Sequence, residues 1–228
     1  TLEDRLNVAH DTRVMGVQSI LVIEDTIRYY STLLPLLYQE VIRHAWRFIQ
    51  EGINPSQKNL RQRARTKILL CKDYETAWSC FEKYHETILG IVSDVGFPRG
   101  GEPDPEAGFR FAEAVYERHP DIPILFHSSL PGHREKALAI GPRFVRFMWK
   151  NSPDLLQELR TFMSDHLSFG DFVFRTPDGA EVAKAHDLRS LEKALETIPE
   201  ASLRYHAERN HFSHWLKART EFWLAHQL

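Results

Sequence analysis

Four apolar runs constrain what this chain can fold into, because each one ends on a residue that carries chemistry. Ser19-Ile-Leu-Val-Ile23 leads into Glu24-Asp25, and Ile88-Leu-Gly-Ile-Val-Ser93 leads into Asp94. Ile122-Pro-Ile-Leu-Phe-His127 leads into Ser128, and Phe144-Val-Arg-Phe-Met-Trp149 leads into Lys150. Short, continuous apolar runs bounded by polar residues read as strands buried on both faces. Helical patterns separate them, and that alternation predicts an α/β fold with a parallel sheet. The C-terminal ends of parallel strands share one edge, where ligands bind. Three carboxylates, a hydroxyl and an ammonium are therefore expected in one pocket.

The first helix is expected from about Thr26. Ile27, Tyr30, Leu34, Leu37, Val41, Ala45 and Phe48 recur at helical steps. Pro35 should kink or restart it, and Gly52 suits its end. A polar stretch with Lys58, Arg61, Arg63 and Arg65 leads to a second strand, Lys67-Ile-Leu-Leu-Cys71. Further helices are expected near Tyr74–Tyr84, Glu106–Arg118 and His133–Ala139. Another opens at Ser152-Pro153, with Ser as N-cap and Pro in the first turn. Val95 to Pro105 is rich in Gly and Pro and reads as a loop. Residues 1–16 read as a helical connector with Leu2, Leu6 and Ala9 on one face.

The pattern changes at Phe169. Phe172-Val-Phe174 and Val182-Ala-Lys-Ala185 flank Thr176-Pro-Asp-Gly179, which reads as a hairpin. A helix near Leu188–Thr197 follows, then an aromatic helical stripe with Phe212, Trp215, Leu216, Phe222 and Trp223. Residues 17–168 thus form the α/β domain, and residues 169–228 a small α+β module.

Composition narrows the function classes. With 43% hydrophobic residues the chain can build a real core, and a net charge of −2 gives no basic excess for nucleic acid. Arg61, Arg63, Arg65 and Lys67 lack interleaved aromatics and read as a solvated face. No apolar run is long enough to cross a bilayer. Two cysteines without metal-ligand spacing suit a reduced, cytoplasmic setting. The start carries neither Met nor a signal-peptide core, so the chain reads as a piece of a larger protein. His206, His211 and His214 do not align tightly on one helical face and read as hydrogen-bonded or surface histidines rather than a metal site.

The acidic pocket suits one task. Adjacent strand-end carboxylates repel unless a cation sits between them, and Mg²⁺ takes oxygen donors. Asp25 and Asp94 would ligate directly, Glu24 through water, and the backbone carbonyl of Gly96 would complete the set. Asp94 would then accept a phosphoryl group as an aspartyl phosphate. Lys150 would neutralise phosphate charge and Ser128 would donate to a phosphate oxygen.

These motifs together resemble the receiver domain of two-component response regulators. Ile20-Leu-Val-Ile-Glu-Asp25 is similar to the family's acidic first strand. Ser93-Asp94 with Pro98 resembles the phosphoacceptor and its loop. Pro123-Ile-Leu-Phe-His-Ser128 and Phe147-Met-Trp-Lys150 resemble the hydroxyl and lysine strands. The resemblance implies a flavodoxin-like sheet of order 2-1-3-4-5. It implies Mg²⁺-dependent phosphotransfer from a histidine kinase or phosphotransfer protein. It implies a switch in which Ser128 moves to the phosphate, Phe147 turns inward, and a downstream protein or linked domain reads the change. The site would act on itself, so the domain is not expected to be an enzyme with an external product. Val95-Gly96 supplies no second acid for an aspartate-based phosphatase.

Some positions depart from the family pattern. The first helix and its linker are long, Gly100–Ala107 is an insertion beside the pocket, and Gly108 takes the place of the loop glycine. Asn151 stands where a proline is usual, and Ser129 where a small alanine is usual. Ser202-Leu-Arg-Tyr-His206 and Arg209–Ala218 resemble an uncharacterised module found beside receiver-like domains and in phosphoenolpyruvate synthase-like proteins. The alternative reading is therefore a phosphorylation-independent regulatory domain of such an enzyme. An exposed part of the aromatic stripe would serve a homodimer or partner contact.

Overall fold

The computed structural model describes residues 2–49, 65–141 and 144–227, with the side chains of 47–49 outside the description. The expectations for Phe48, Gly52, Lys58, Arg61 and Arg63 lie outside the described residues. Helix α1 (Leu2–Met15) leads into strand β1 (Ser19–Ile23), α2 (Ile27–Ile49), β2 (Lys67–Cys71) and α3 (Tyr74–Tyr84). Strand β3 (Ile88–Asp94) is followed by a hairpin of β4 (Phe97–Arg99) and β5 (Glu102–Asp104), then α4 (Ala107–Tyr116). Next come β6 (Ile124–Ser128), α5 (His133–Ile140), β7 (Val145–Trp149) and α6 (Leu155–His166). The last part holds β8 (Phe172–Arg175), β9 (Glu181–Ala185), α7 (Leu188–Leu195), α8 (Glu200–Ala207), α9 (His211–Ala218) and α10 (Phe222–Ala225).

The main sheet has the order β2-β1-β3-β6-β7 and is parallel throughout. Leaving out the β4–β5 hairpin, this is the 2-1-3-4-5 order of a flavodoxin-like, doubly wound fold. Alternate residues of the strands feed two cores. Ile20, Val22, Leu125 and Met148 pack with Leu37 of α2 and Phe162 of α6. Leu21, Ile23, Ile91 and Phe126 pack with Phe81 of α3 and Phe111 of α4. Both faces of β1 and β3 are buried, so those strands read as unbroken apolar runs.

Several local expectations are corrected. Of the two expectations for Pro35, a kink or a restart, no restart occurs: α2 runs through it, and Leu33, Leu37 and Val41 hold that helix on the sheet on both sides of the proline. Helix α1 buries Asp4 and Val8, while Leu2 and Leu6 face outward. Asp4 is the reason. Its Oδ2 accepts the Ile68 N–H of edge strand β2 at 3.0 Å and the Tyr38 hydroxyl at 2.6 Å, and Oδ1 pairs with Arg65 at 2.9 Å. A bare sheet edge is a liability, and this carboxylate closes part of it. Arg65 and Lys67 are thus ion-paired, Lys67 with Asp11 at 2.8 Å. Ser152 is not the cap of α6: it precedes the helix in a turn, its Oγ accepting from Asp154 N, and Asp154 takes the cap position.

The segment after Asp94 is a hairpin rather than the expected loop. Gly100 and Gly101 have positive φ at its tip, as a two-residue hairpin turn requires. Pro98 faces Pro103 across the pair. The Arg99↔Glu102 pair next to the turn carries the ladder bonds, so the missing N–H groups of the prolines cost nothing.

The predicted C-terminal hairpin forms as β8–β9. It folds over a core of Phe172, Phe174, Leu191, Phe212, Trp215 and Leu216. Trp223, by contrast, is exposed. Arg219 joins this module to the sheet domain by donating to Ser168 O at 3.0 Å, and it also donates to Gly170 O within the module at 2.6 Å. His44 of α2 lies 2.9 Å from Ala218 O and stacks on Phe169.

Asp4 carries a pH signature. Burial acts to raise its pKa, but the Tyr38 hydroxyl, Arg65 and the Ile68 N–H outweigh it, and the net shift is downward. A lowered carboxyl contributes stability above its unfolded pKa and loses it as pH falls through the folded value. Asp4→Ala should cost about 3 kcal/mol in urea denaturation at pH 7, and the loss should shrink in acid.

Candidate functional site

The C-terminal edge of the sheet brings Glu24, Asp94, Ser128 and Lys150 together. Glu24 follows β1, and its N–H donates to Cys71 O at 3.0 Å, so β2 holds it in line. Asp94 is the last residue of β3. The Lys150 ammonium reaches back between the two, 2.6 Å from Asp94 Oδ2 and 2.9 Å from Glu24 Oε2. It also lies 4.0 Å from the centre of the Tyr29 ring, in the first turn of α2. The other Asp94 oxygen accepts the Val95 N–H at 2.7 Å, and Glu24 Oε1 accepts the Thr26 N–H at 3.0 Å. Both carboxyl groups are nearly closed off from solvent, and the ammonium between them is almost as buried.

One ammonium serves two carboxylates, so the pocket stays short of positive charge. Burial pushes the Glu24 pKa up to about 7, the Asp94 charge adds to that, and Lys150 and the Thr26 N–H oppose it. Asp94 is also raised, first by burial and further by the Asp25 charge, against Lys150 and the Val95 N–H. Asp25 is half-exposed beside this pair, where its Oδ1 accepts from Thr26 Oγ1. A cation added here would relieve both carboxylates.

Ser128 is buried at the end of β6 with its Oγ 2.9 Å from His133 Nδ1, and it accepts the Leu130 N–H at 3.2 Å. The hydroxyl is therefore engaged with the start of α5 rather than with Asp94. Phe147 is half-buried, packed edge-on against Trp149 with ring centres 4.9 Å apart. Gly96 lies in the turn into the hairpin, close against Pro105. Gly108 approaches Asp94 more closely: a Cβ there would stand 2.3 Å from the Asp94 carbonyl. Its own N–H donates to Val95 O at 2.9 Å. The hairpin between them is tied to α3, since Gly100 N donates to Glu75 Oε1 at 2.8 Å and Arg99 stacks on Tyr74.

Three contributors were not singled out from the sequence: Tyr29, His133 and His127. His127 pairs with Asp94 in the parallel register. Paired residues of neighbouring strands point to the same face, which was the available signal. Its Nδ1 lies 3.6 Å from Glu24 Oε2, and burial, with Lys150 adding, pushes its pKa down to about 3. The ligand atoms of Glu24, Asp94 and His127 all fall within 4.8 Å of one another. In the C-terminal module His206 Nε2 accepts the Arg175 N–H and His206 Nδ1 lies 2.9 Å from His211 Nδ1. A cleft of about 980 Å³ opens at the opposite edge of the sheet, lined in part by Leu89, Pro123, Arg146, Arg175 and His214. It sits away from the converging carboxylates, lysine and hydroxyl.

No family model matches the sequence, and no curated protein is detectably similar to it. Solved structures resemble it in fold. A response regulator receiver domain protein from Clostridium thermocellum superposes with a TM-score of 0.47 at 12% identity, over 66% of this chain and 94% of that one. The signal receiver domain of an HD domain-containing protein from Pseudomonas fluorescens Pf-5 gives 0.44 at 15%, over 66% and 90%. The receiver domain of NtrX from Brucella abortus gives 0.41 at 17%, over 64% and 98%. Likeness at this level carries no chemistry across, so the site stands on its own geometry. Among the described residues no helix is long and apolar enough to cross a membrane.

Two outcomes are expected. A carboxyl with a raised folded pKa makes stability fall as pH climbs from its ordinary value of 4.5 towards about 7. Glu24→Gln should flatten that slope in urea denaturations run from pH 4.5 to 8. Gly108→Ala should destabilise the fold by about 1–3 kcal/mol through its clash with the Asp94 backbone, measured as a fall in the denaturation midpoint.

Proposed function

We propose that this chain is a signalling receiver that takes a phosphoryl group on Asp94. The observation that carries this reading is the buried Asp94–Lys150–Glu24 bridge at the C-terminal edge of a 2-1-3-4-5 parallel sheet. An Asp94 carboxylate oxygen attacks the phosphorus of a phosphohistidine or an acyl phosphate. The P–N or P–O bond to the donor breaks, and its electron pair leaves with the histidine or the acylate. The Val95 N–H fixes one Asp94 oxygen, and the Lys150 ammonium stays beside the other to meet the incoming charge.

The donor set fits a divalent cation: two buried carboxylates share one ammonium, and Asp25 adds a third acid beside them. Glu24, Asp25 and Asp94, with the Gly96 carbonyl, would hold Mg²⁺, which neutralises phosphoryl charge when bound. Ser128 must leave His133 to reach a phosphate oxygen. That exchange would couple the site to α5 and, through Phe147, to the exposed end of β7. The chain turns over no external substrate in this reading; its partners are a histidine kinase or phosphotransfer protein and the domain that reads the switched surface. Phosphorylation-independent regulation of a larger phosphoenolpyruvate synthase-like enzyme is the competing reading.

Incubation with Mg²⁺ and acetyl phosphate, followed by intact mass measurement, tests the proposal. The wild type should gain one phosphoryl group, Asp94→Asn none, and Lys150→Ala much less. Equal gain by wild type and Asp94→Asn, or no gain by wild type, would sink it.

A further inference from the structure

His127 is a buried imidazole with too few partners. It is 3% exposed, and its Nε2 has no hydrogen-bond partner among the described residues. Glu24 Oε2, facing it, has no hydrogen bond of acceptable geometry either, only the ion pair to Lys150. Burying such groups without partners costs free energy, and the other ring nitrogen, Nδ1, is the one that faces Glu24 Oε2. The 3.6 Å between His127 Nδ1 and Glu24 Oε2 is too long for a hydrogen bond. It does match two donors on one tetrahedral cation, whose bonds of ~2.1 Å place neighbouring ligand atoms ~3.4 Å apart. Asp94 supplies the third donor, with all three ligand atoms within 4.8 Å of one another.

We propose that Glu24, Asp94 and His127 form a site for a divalent transition cation of the Zn²⁺ and Co²⁺ class. The nitrogen donor makes the distinction. Mg²⁺ takes oxygen ligands and suits the carboxylate-only set, whereas imidazole suits Zn²⁺, Co²⁺ and Ni²⁺. The sheet places the three donors, because each sits at the end of a different neighbouring strand, on the face covered by α2 and α6. Lys150 gives way, since its ammonium lies where the cation must enter, and the Tyr29 ring offers that ammonium a second partner. The inference rests on the pocket of the phosphoacceptor reading, because Asp94 serves both, and it adds His127 and a second class of cation to that pocket.

The test is a titration of the full chain with Co²⁺, read by its visible absorption, with Zn²⁺ and Mg²⁺ as competitors. One equivalent of Co²⁺ should bind, equimolar Zn²⁺ should displace it, and equimolar Mg²⁺ should not. His127→Leu should weaken Co²⁺ binding by at least ~10-fold, the scale on which even outer groups of metal sites act. His186→Ala, on the surface, should leave it unchanged. A second measurement does not depend on the variant folding: bound Co²⁺ should shift the His127 ring resonances of the wild type paramagnetically. Unshifted resonances, unchanged affinity in a folded His127→Leu, or equal displacement by Mg²⁺ would each overturn the site. Phosphoryl uptake in Mg²⁺ reads the other proposal separately. Uptake without Co²⁺ binding defeats only the cation site, and Co²⁺ binding without uptake defeats only the phosphoacceptor.

Discussion

One ammonium shared between two buried carboxylates is the constraint around which this molecule is arranged. Lys150 ends the last strand of the sheet, Glu24 the first in sequence and Asp94 the central one, so the bridge spans strands far apart along the chain. Leaving any of the three buried charges without the others would be costly. The bridge therefore ties strand register, helix placement and loop path to one point. Gly108 has no side chain because the Asp94 carbonyl occupies that space, and Tyr29 lies over the ammonium because α2 starts right after the acidic pair.

Around this point the fold has added parts with their own physical roles. The β4–β5 hairpin follows Asp94 closely in the chain and is held to α3 by Glu75 and Tyr74. The C-terminal module packs at the other side, through Arg219 on Ser168 and through His44 on Ala218. His44 belongs to α2, whose first turn carries Tyr29. One helix thus touches both the charge bridge and the module, a continuous physical route between them.

Much of the plan was legible in the sequence because its signals are local. Apolar runs buried on both faces mark the parallel strands, and a polar residue closing each run marks the sheet's C-terminal edge. The C-terminal hairpin was legible from its turn residues. Other signals misled where a tertiary contact outweighed a local pattern. Leu2 and Leu6 suggest the inner face of α1, but Asp4 is drawn inward by an unpaired edge N–H, an Arg and a Tyr from elsewhere in the chain. The prolines after Asp94 suggest irregular backbone, yet Pro98 and Pro103 fall on a pair of hairpin positions that needs no N–H.

By itself the sequence determined the strand–helix alternation, the residues at the sheet's C-terminal edge and the change of pattern at the C-terminal hairpin, since period, run length and turn chemistry are properties of neighbouring residues. Only the tertiary structure decided which groups face one another. It set Ser128 on His133 and brought His127 beside Glu24. It left Asp25 outside the buried ammonium bridge while setting Lys150 within it. Those pairings depend on register between strands and on which face each side chain takes, and neither is written in any short stretch of the chain.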